Sequence, residues 1–311
     1  MAITRKLPNT ILSRQNALNR CFAKQSTITL GNEVLHPTTA ARLTANHALY
    51  TTAVQNVAVA KSIYSTNTPT KTEQMNMLRL YCSHFIQGFN MGVLRGKFPA
   101  GHRVHYTLPE SHAKVPSMGS DSNTIALAER LIAGDANRLL AGGAAMSNPD
   151  IGELTAVYTT AKAAFITQNT LSEALKKRQN ELDKLIPKLD KFIARIWNEI
   201  VAYYSENDAD GTRAHARSWG VVYVSESTPA LLTGLVQDAQ GNAREGAEVV
   251  VLETGAKTTT NAEGRYQLAT TLVGEATVRA SFNGEPDAST VVTIAEHHDE
   301  VTLPVDVLVV G

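Results

Sequence analysis

The side chains of this sequence that are best suited to bind a metal ion are three histidines that lie close together in the chain. His102 and His105 are separated by two residues, His112 follows, and His84 lies upstream. Imidazole nitrogens suit zinc or copper, and three of them would leave one coordination position open for catalysis. However, the segment has no His-Glu-x-x-His pattern and no carboxylate at a fixed spacing. We therefore expect solvated loop histidines, and we predict no metal, no cofactor and no catalytic residue.

The other reactive side chains give weaker indications of catalysis. Cys82 lies on the apolar face of a predicted helix, where burial favours an inert thiol. Cys21 lies in a basic segment, so we expect it to be the more reactive of the two. The pair His297–His298 precedes two acidic residues in a predicted strand connection, which a polar turn explains. The sequence contains no glycine-rich phosphate loop and no Gly-x-Ser-x-Gly motif.

The composition indicates a globular chain with two segments of opposite net charge. Of 311 residues, 43 % are apolar and 19 % are charged, which suits two domains. Residues 1–229 carry 25 cationic and 17 acidic side chains, whereas residues 230–311 carry 4 and 12. The net charges of +8 and −8 would attract chains head to tail, or they belong to two independently soluble domains. No segment approaches the ~18 apolar residues of a membrane span.

Residues 1–37 are predicted to form a basic arm. The first 32 residues carry five cationic side chains and no acidic one. Three interpretations stay open: an arm that docks on a neighbouring subunit, a nucleic-acid tail and a transit peptide. The absence of a base-reading motif argues against nucleic acid. Because the segment lacks the apolar core of a secretory signal, we expect a cytoplasmic protein or one exported without a cleaved signal, in a surface or released assembly.

Residues 38–228 are predicted to form a helical domain. Apolar side chains recur at helical spacing over residues 38–65 and again over 70–93. Pro69 is expected to break the chain between these two helices. A third helix is predicted over residues 121–141.

The strongest periodic signal lies in residues 151–203. Steps of three and four continue without a slip, which predicts one long helix, kinked at Pro187, in preference to a hairpin. Such a heptad pattern needs a partner, either other helices of the same chain or a second copy in a homo-oligomer. We label this fourth predicted helix, residues 151–203, α4 and name its assembly candidates the α4 seam: Leu175, Leu182, Ile186, Leu189, Ile193, Ile196 and Ile200.

Residues 229–311 change to short β-branched segments separated by Gly, Asn or Asp, which predicts an antiparallel β-sandwich. Their motif comprises Gly234, Asp238, Gly241, Gly246-Ala247 and a hairpin sequence that contains Gly264, Tyr266 and Leu268. The segment resembles the carboxypeptidase regulatory-like domain, a prealbumin-like sandwich common in secreted and surface proteins of Bacteroidota. It departs from that family at Arg244-Glu245 and at Asn261. The resemblance implies a non-catalytic domain that stabilises a neighbour, acts as a spacer, or binds protein or glycan.

The sequence therefore predicts a multidomain α plus β protein, with an N-terminal helical bundle and a C-terminal β-sandwich. The predicted function is a structural or assembly protein without enzyme activity. It would self-associate through the helical domain and display or dock an acidic sandwich. The alternative is a binding module with a protein or glycan ligand on the sandwich. A metalloenzyme that uses the histidine loop is the third hypothesis.

Overall fold

The structure is a computed structural model that describes residues 3–108, 114–225, 229–295, 302–305 and 307–310. The chain divides into two compact units. The first unit comprises residues 1–55 and 181–311, and the second comprises residues 56–180. The boundaries predicted from the sequence, at residues 37 and 228, stay predictions. Within the described ranges, no helix combines the length and the hydropathy that a membrane crossing requires.

The helical region and the C-terminal β-domain predicted from the sequence are both present. The helices, in chain order, are α1 (Ile11–Gln25), α2 (Pro37–Leu94), a short 3₁₀-helix (Ala100–Tyr106), α3 (Asp121–Leu140), α4 (Ile151–Tyr203) and α5 (Ala209–Ser218). The strands are β1 (Ile3–Arg5), β2 (Tyr223–Ser225), β3 (Ala230–Gln237), β4 (Glu248–Val251), β5 (Lys257–Thr259), β6 (Arg265–Thr270), β7 (Leu272–Ser281), β8 (Ala288–Ile294), β9 (Thr302–Pro304) and β10 (Leu308–Val309).

The strands form two sheets. The larger sheet has the order β1-β2-β7-β4-β5, and β8 also pairs with β7. The smaller sheet has the order β10-β3-β6, and β9 also pairs with β3. The pairings are antiparallel except that β9 and β10 run parallel to β3. The N-terminal strand β1 thus belongs to the larger sheet, through its pairing with β2.

Helix α2 corrects one prediction, because Pro69 lies inside a continuous helix of 58 residues. A proline removes one helical hydrogen bond and costs about 3 kcal/mol in a helix interior. Side chains beside it supply other bonds: Gln168 of α4 donates to the Thr68 hydroxyl at 2.8 Å and to the Tyr64 carbonyl at 3.3 Å. Helix α4 is likewise continuous through Pro187, as the preferred interpretation predicted.

The second unit has a dense apolar core. Side chains of α2 that are at most 1 % exposed pack with α3, the 3₁₀-helix and the first half of α4. Leu127 and Leu131 of α3 and Leu154 of α4 are among their partners. The α2 members of this core are Met75, Leu78, Cys82, Phe85, Ile86 and Phe89. One face of α2 is therefore fully occupied within the unit.

A charged group is also buried in the second unit. Arg138 of α3 has a fully buried side chain, and its Nη2 donates to Oδ1 of Asp135 at 2.8 Å. Its Nε donates to the Tyr106 hydroxyl at 2.7 Å, and its Nη1 donates to the Ala144 carbonyl at 2.6 Å. The Tyr106 hydroxyl in turn donates to Asp135 at 2.6 Å. Burial, followed by that bond, raises the pKa of Tyr106.

In the first unit, the N-terminal segment packs on distant parts of the same chain. Arg14 of α1 makes a two-pronged contact with Asp190 of α4, with N–O distances of 2.6 and 2.9 Å. The Thr39 hydroxyl of α2 donates to Glu199 of α4 at 2.8 Å. Helix α1 is thus held against the C-terminal half of α4 by a partly buried ion pair.

Candidate functional site

The histidines proposed as weak metal ligands do not form a described site. His102 and His105 lie in the 3₁₀-helix with their ring centroids 5.5 Å apart and nearly perpendicular. His112 lies outside the described residues, and His84 is exposed on α2. Among the residues that the structure describes, no group of three His, Cys, Asp or Glu side chains could hold a metal ion. The prediction that the chain binds no metal stays a prediction.

Cys21 is not the more reactive cysteine that the sequence suggested. Its side chain is buried in the first unit, and its Sγ donates to the Trp219 carbonyl at 2.9 Å. Burial raises the pKa of the Cys21 thiol to about 12, and it does the same for Cys82 in the core of the second unit. The basic residues around Cys21 in the sequence do not offset the loss of water, because the thiol faces the protein interior.

We expect both thiols to resist iodoacetamide at pH 8 in the folded protein. Only the thiolate reacts, and a pKa of about 12 leaves very little of it at that pH. Mass spectrometry after a timed reaction, with and without denaturant, measures this. Both cysteines should be labelled only when denaturant is present. Labelling of Cys21 in the folded protein at the rate of a free cysteine would contradict the buried position.

The α4 seam faces the interior of its own chain. Leu182, Leu189, Ile193, Ile196 and Ile200 are each at most 3 % exposed in the first unit. The remaining two members, Leu175 and Ile186, are partly buried. The sequence left open whether this seam has a partner in the same chain or in another one. Its burial favours the first alternative, so an assembly surface has to be sought elsewhere.

Part of the charge asymmetry is also satisfied within one chain. Arg20 of α1 lies 3.1 Å from a Glu275 oxygen and 3.6 Å from a Glu253 oxygen in the first unit. Glu253 is 4 % exposed and accepts hydrogen bonds from the backbone nitrogen and the hydroxyl of Thr277, at 2.9 and 2.8 Å. Basic and acidic ends of the sequence therefore meet in the same molecule. The sequence suggested such an attraction only between different molecules.

Helix α2 carries a second apolar face, which the sequence analysis missed. In the second unit, large apolar side chains remain exposed on the side of the helix away from the core, and they range from Met77 at 42 % to Leu94 at 78 %. Their spacings of 4, 14, 3, 11 and 3 residues all fit one seven-residue repeat. We name them the α2 stripe: Val59, Ile63, Met77, Leu80, Met91 and Leu94.

The positions beside and between the stripe residues carry little charge. Five exposed polar residues complete its heptad pattern, and only Glu73 and His84 among them are ionisable; the others are Thr66, Thr70 and Gln87. Between Val59 and Leu94 the flanking positions hold no Asp, Glu, Lys or Arg; they are Ala60, Ser62, Asn67, Pro69, Gln74, Asn76, Tyr81, Ser83, Gly88 and Asn90. By contrast, the exposed run from Lys176 to Arg178 on α4 is fully charged, as a solvated helix surface usually is.

The predicted sandwich motif adopts the geometry that its residue types suggested. Gly241, Gly246 and Gly264 have φ angles of +84°, +77° and +71°, and the side chains of Tyr266 and Leu268 are buried in the core. Residues 232–307 match the family model of the carboxypeptidase regulatory-like domain. The C-terminal β-domain is a carboxypeptidase regulatory-like domain. This assignment supports an interaction or binding role for that part of the chain.

The two departures of the regulatory-like domain from its family pattern have structural explanations. Arg244 pairs with Glu285 at 2.8 Å and its guanidinium lies 5.1 Å from the centre of the Phe282 ring. The Asn261 side-chain oxygen accepts from the backbone nitrogens of Glu263 and Arg265, at 3.2 and 2.8 Å, as an aspartate would. The substitutions therefore keep the turn and the strand connection intact.

Other comparisons add little. A type II cohesin–X-dockerin complex from Acetivibrio cellulolyticus, crystallised as a C-terminal interface mutant, has 13 % identity and a TM-score of 0.20. The similarity covers 25 % of this chain and 52 % of that chain, so this chain spans about half the length of the matched structure. A TM-score this low carries no argument about fold or partner. No curated protein matches the chain.

Proposed function

We propose that the protein is a non-enzymatic assembly protein that self-associates through the α2 stripe and carries the regulatory-like domain with it. The observation behind this proposal is the exposed, heptad-spaced face of α2 in the second unit. Large exposed apolar surfaces on soluble proteins usually mark interaction sites. The same helix already buries its opposite face in the core, so the stripe is surplus to what the fold of the unit requires.

The composition of the stripe favours a protein partner over a lipid surface. A helix that lies on a membrane usually has a polar face rich in Lys and Arg. Over residues 56–94 the cationic side chains of α2 are Lys61, Lys71 and Arg79, and the last two both bind Asp121, at 2.7 and 2.5 Å. Low charge and exposed Met and Leu side chains are typical of the centre of a protein–protein interface.

Association would remove apolar area from water and would bring few charged groups into the interface. Full burial of a Val, Leu, Ile or Met side chain contributes about 1.5–3 kcal/mol, and these residues are roughly half exposed, so each would add about 1 kcal/mol. Six such residues in each copy supply enough to offset the loss of freedom on association. Because the flanks are uncharged, association should depend only weakly on salt.

The decisive measurement is particle mass by light scattering after size exclusion, at low salt and at about 1 M salt. We expect an oligomer under both conditions and a monomer for Leu80→Glu, which places two charges in the interface of a dimer. Ser65→Glu is the matched control, because it adds the same charge to an exposed position of the same helix outside the stripe. A wild-type protein that is monomeric at every concentration and salt would overturn the proposal.

A further inference from the structure

We propose that two copies pair through the α2 stripe in an antiparallel orientation, with Glu73 of each copy facing His84 of the other. This inference rests on the proposed function and adds the partner, a second copy of this chain, and the register. Its basis is the distribution of ionisable side chains along the heptad pattern of the stripe. Glu73 and His84 are the two ionisable residues among the polar positions of this pattern, and both are exposed in the second unit.

A two-fold axis that crosses the helix between residues 78 and 79 brings residue i opposite residue 157 − i. Two-fold contacts of this kind are reciprocal, so one pairing of Glu73 with His84 creates the second automatically. Each Glu73 carboxylate then faces an imidazole, which can donate a hydrogen bond to it, and the symmetry makes this pairing twice. A parallel pair in register would instead place Glu73 opposite Glu73, which sets like charges against each other.

The apolar residues were not used to choose this register, and four of the six stripe residues then face one another, whereas Val59 falls opposite position 98, beyond the end of α2. The same axis places Met77 opposite Leu80 at the centre of the interface. It also places Ile63 of one copy opposite Leu94 of the other at both ends. The polar positions pair with each other or with a flexible methionine, as Thr70 with Gln87 and Thr66 with Met91. In each case a heptad position meets a heptad position, as an antiparallel coiled coil requires.

The area of this contact reaches the lower limit expected of a biological interface. The stripe is about 50 Å long at ~1.5 Å per residue, and a helix is about 10 Å wide. Two copies would therefore bury about 1,000 Å², which reaches the ~1,000 Å² expected of a biological interface. Side chains of the unit core are not needed for this contact, because the stripe lies on the other side of the helix.

Disulfide trapping tests the register. In the proposed dimer Ile63 lies opposite Leu94 of the other copy, whereas two copies of residue 63 lie about 46 Å apart along the axis at ~1.5 Å per residue. A disulfide needs Cα atoms within about 7 Å. An oxidised mixture of Ile63→Cys and Leu94→Cys proteins should therefore yield a covalent heterodimer. Each variant alone should yield none, and neither should the wild type, whose cysteines are buried.

The outcomes separate this inference from the proposed function. A disulfide in either single variant alone would indicate a parallel pair and would overturn the register. A dimer by light scattering without any disulfide in the mixture would also overturn it, although self-association through α2 would stand. A wild-type monomer would overturn both.

A charge exchange gives a second measurement that introduces no cysteine. Glu73→Lys should weaken the dimer about tenfold, because a cation replaces the carboxylate that accepts from His84, and adding His84→Glu should restore the affinity by placing opposite charges together. Sedimentation equilibrium of the single and double variants measures both changes. A parallel pair would keep identical residues opposite each other in both variants, so the absence of restoration would contradict the antiparallel register.

Discussion

Replacement of Asp135 with alanine should destabilise the second unit by about 3–5 kcal/mol, because it leaves the buried guanidinium of Arg138 without its counter-charge. The Arg138 side chain is 0 % exposed and that of Asp135 is 1 % exposed. Burial alone would lower the pKa of Arg138, but the bonds to Asp135 and Tyr106 more than offset it and raise the pKa. Arg138 therefore keeps its charge, and without the carboxylate that charge has no compensation in the core.

Thermal and urea unfolding followed by circular dichroism would measure this effect. Glu129→Ala is the matched control, because it removes the carboxylate of another ion pair of α3, the pair with Lys162. The side chains of Glu129 and Lys162 are 45 % and 42 % exposed. The control should change the unfolding midpoint little. Replacing both buried partners, as Asp135→Leu with Arg138→Met, should recover much of the lost stability, since no charge then remains buried. Equal losses for Asp135→Ala and Glu129→Ala would show that the buried pair is not essential to the fold.

Replacement of Gly264 with alanine should destabilise the regulatory-like domain by about 2–4 kcal/mol. The residue has φ = +71°, which costs a non-glycine residue about 1–2 kcal/mol. In addition, an alanine Cβ would lie 2.5 Å from the carbonyl oxygen of Val236. That oxygen belongs to the backbone, so relief requires a shift of the paired strands β3 and β6, and such overpacking costs about 1–3 kcal/mol. The backbone of Val236 also donates to the Gly264 carbonyl at 2.9 Å, and this bond would be strained as well.

Gly241 in the same domain provides the comparison. Its φ is +84°, but no heavy atom lies within 4 Å of a Cβ placed there. Gly241→Ala should therefore show the conformational cost alone, about 1–2 kcal/mol. Denaturant unfolding of both variants, with the slope checked against the wild type, gives the difference. If the two variants lost the same stability, close approach to Val236 would contribute nothing.

Local sequence patterns predicted the elements whose conformation depends mainly on residues close together in the sequence. The unbroken heptad pattern of residues 151–203 predicted α4, because a helix with one apolar side places an apolar residue at every third or fourth position of the sequence. The turn glycines of the regulatory-like domain were equally readable, because positive φ selects glycine regardless of tertiary contacts. Pro69 misled the prediction for the opposite reason. Its local cost is offset by contacts with residues far away in the sequence: Gln168 of α4 bonds to Tyr64 and Thr68, and core packing holds α2 from Met75 onward.

The α2 stripe was missed because its signal is sparse and shares the helix with a stronger one. Fourteen residues separate Ile63 from Met77, and the core-facing residues Leu78 and Phe85 give a clearer pattern in the same segment. Only the exposure of each side chain separates the two faces. The role of the first 25 residues was unreadable for a different reason, since β1 pairs with residues 223–225 and Arg14 of α1 binds Asp190, which are distant in the sequence.

The pairing of β1 with β2 also imposes an order on biosynthesis. Residues 3–5 are synthesised 220 residues before their partners, residues 223–225. At roughly 5–20 residues per second, about 10–45 s of translation separate the two strands. During this time the edge of β1 has no strand to pair with in its own sheet, and loop closure over so long a segment is slow. The larger sheet can therefore be completed only after residues 223–225 have been synthesised.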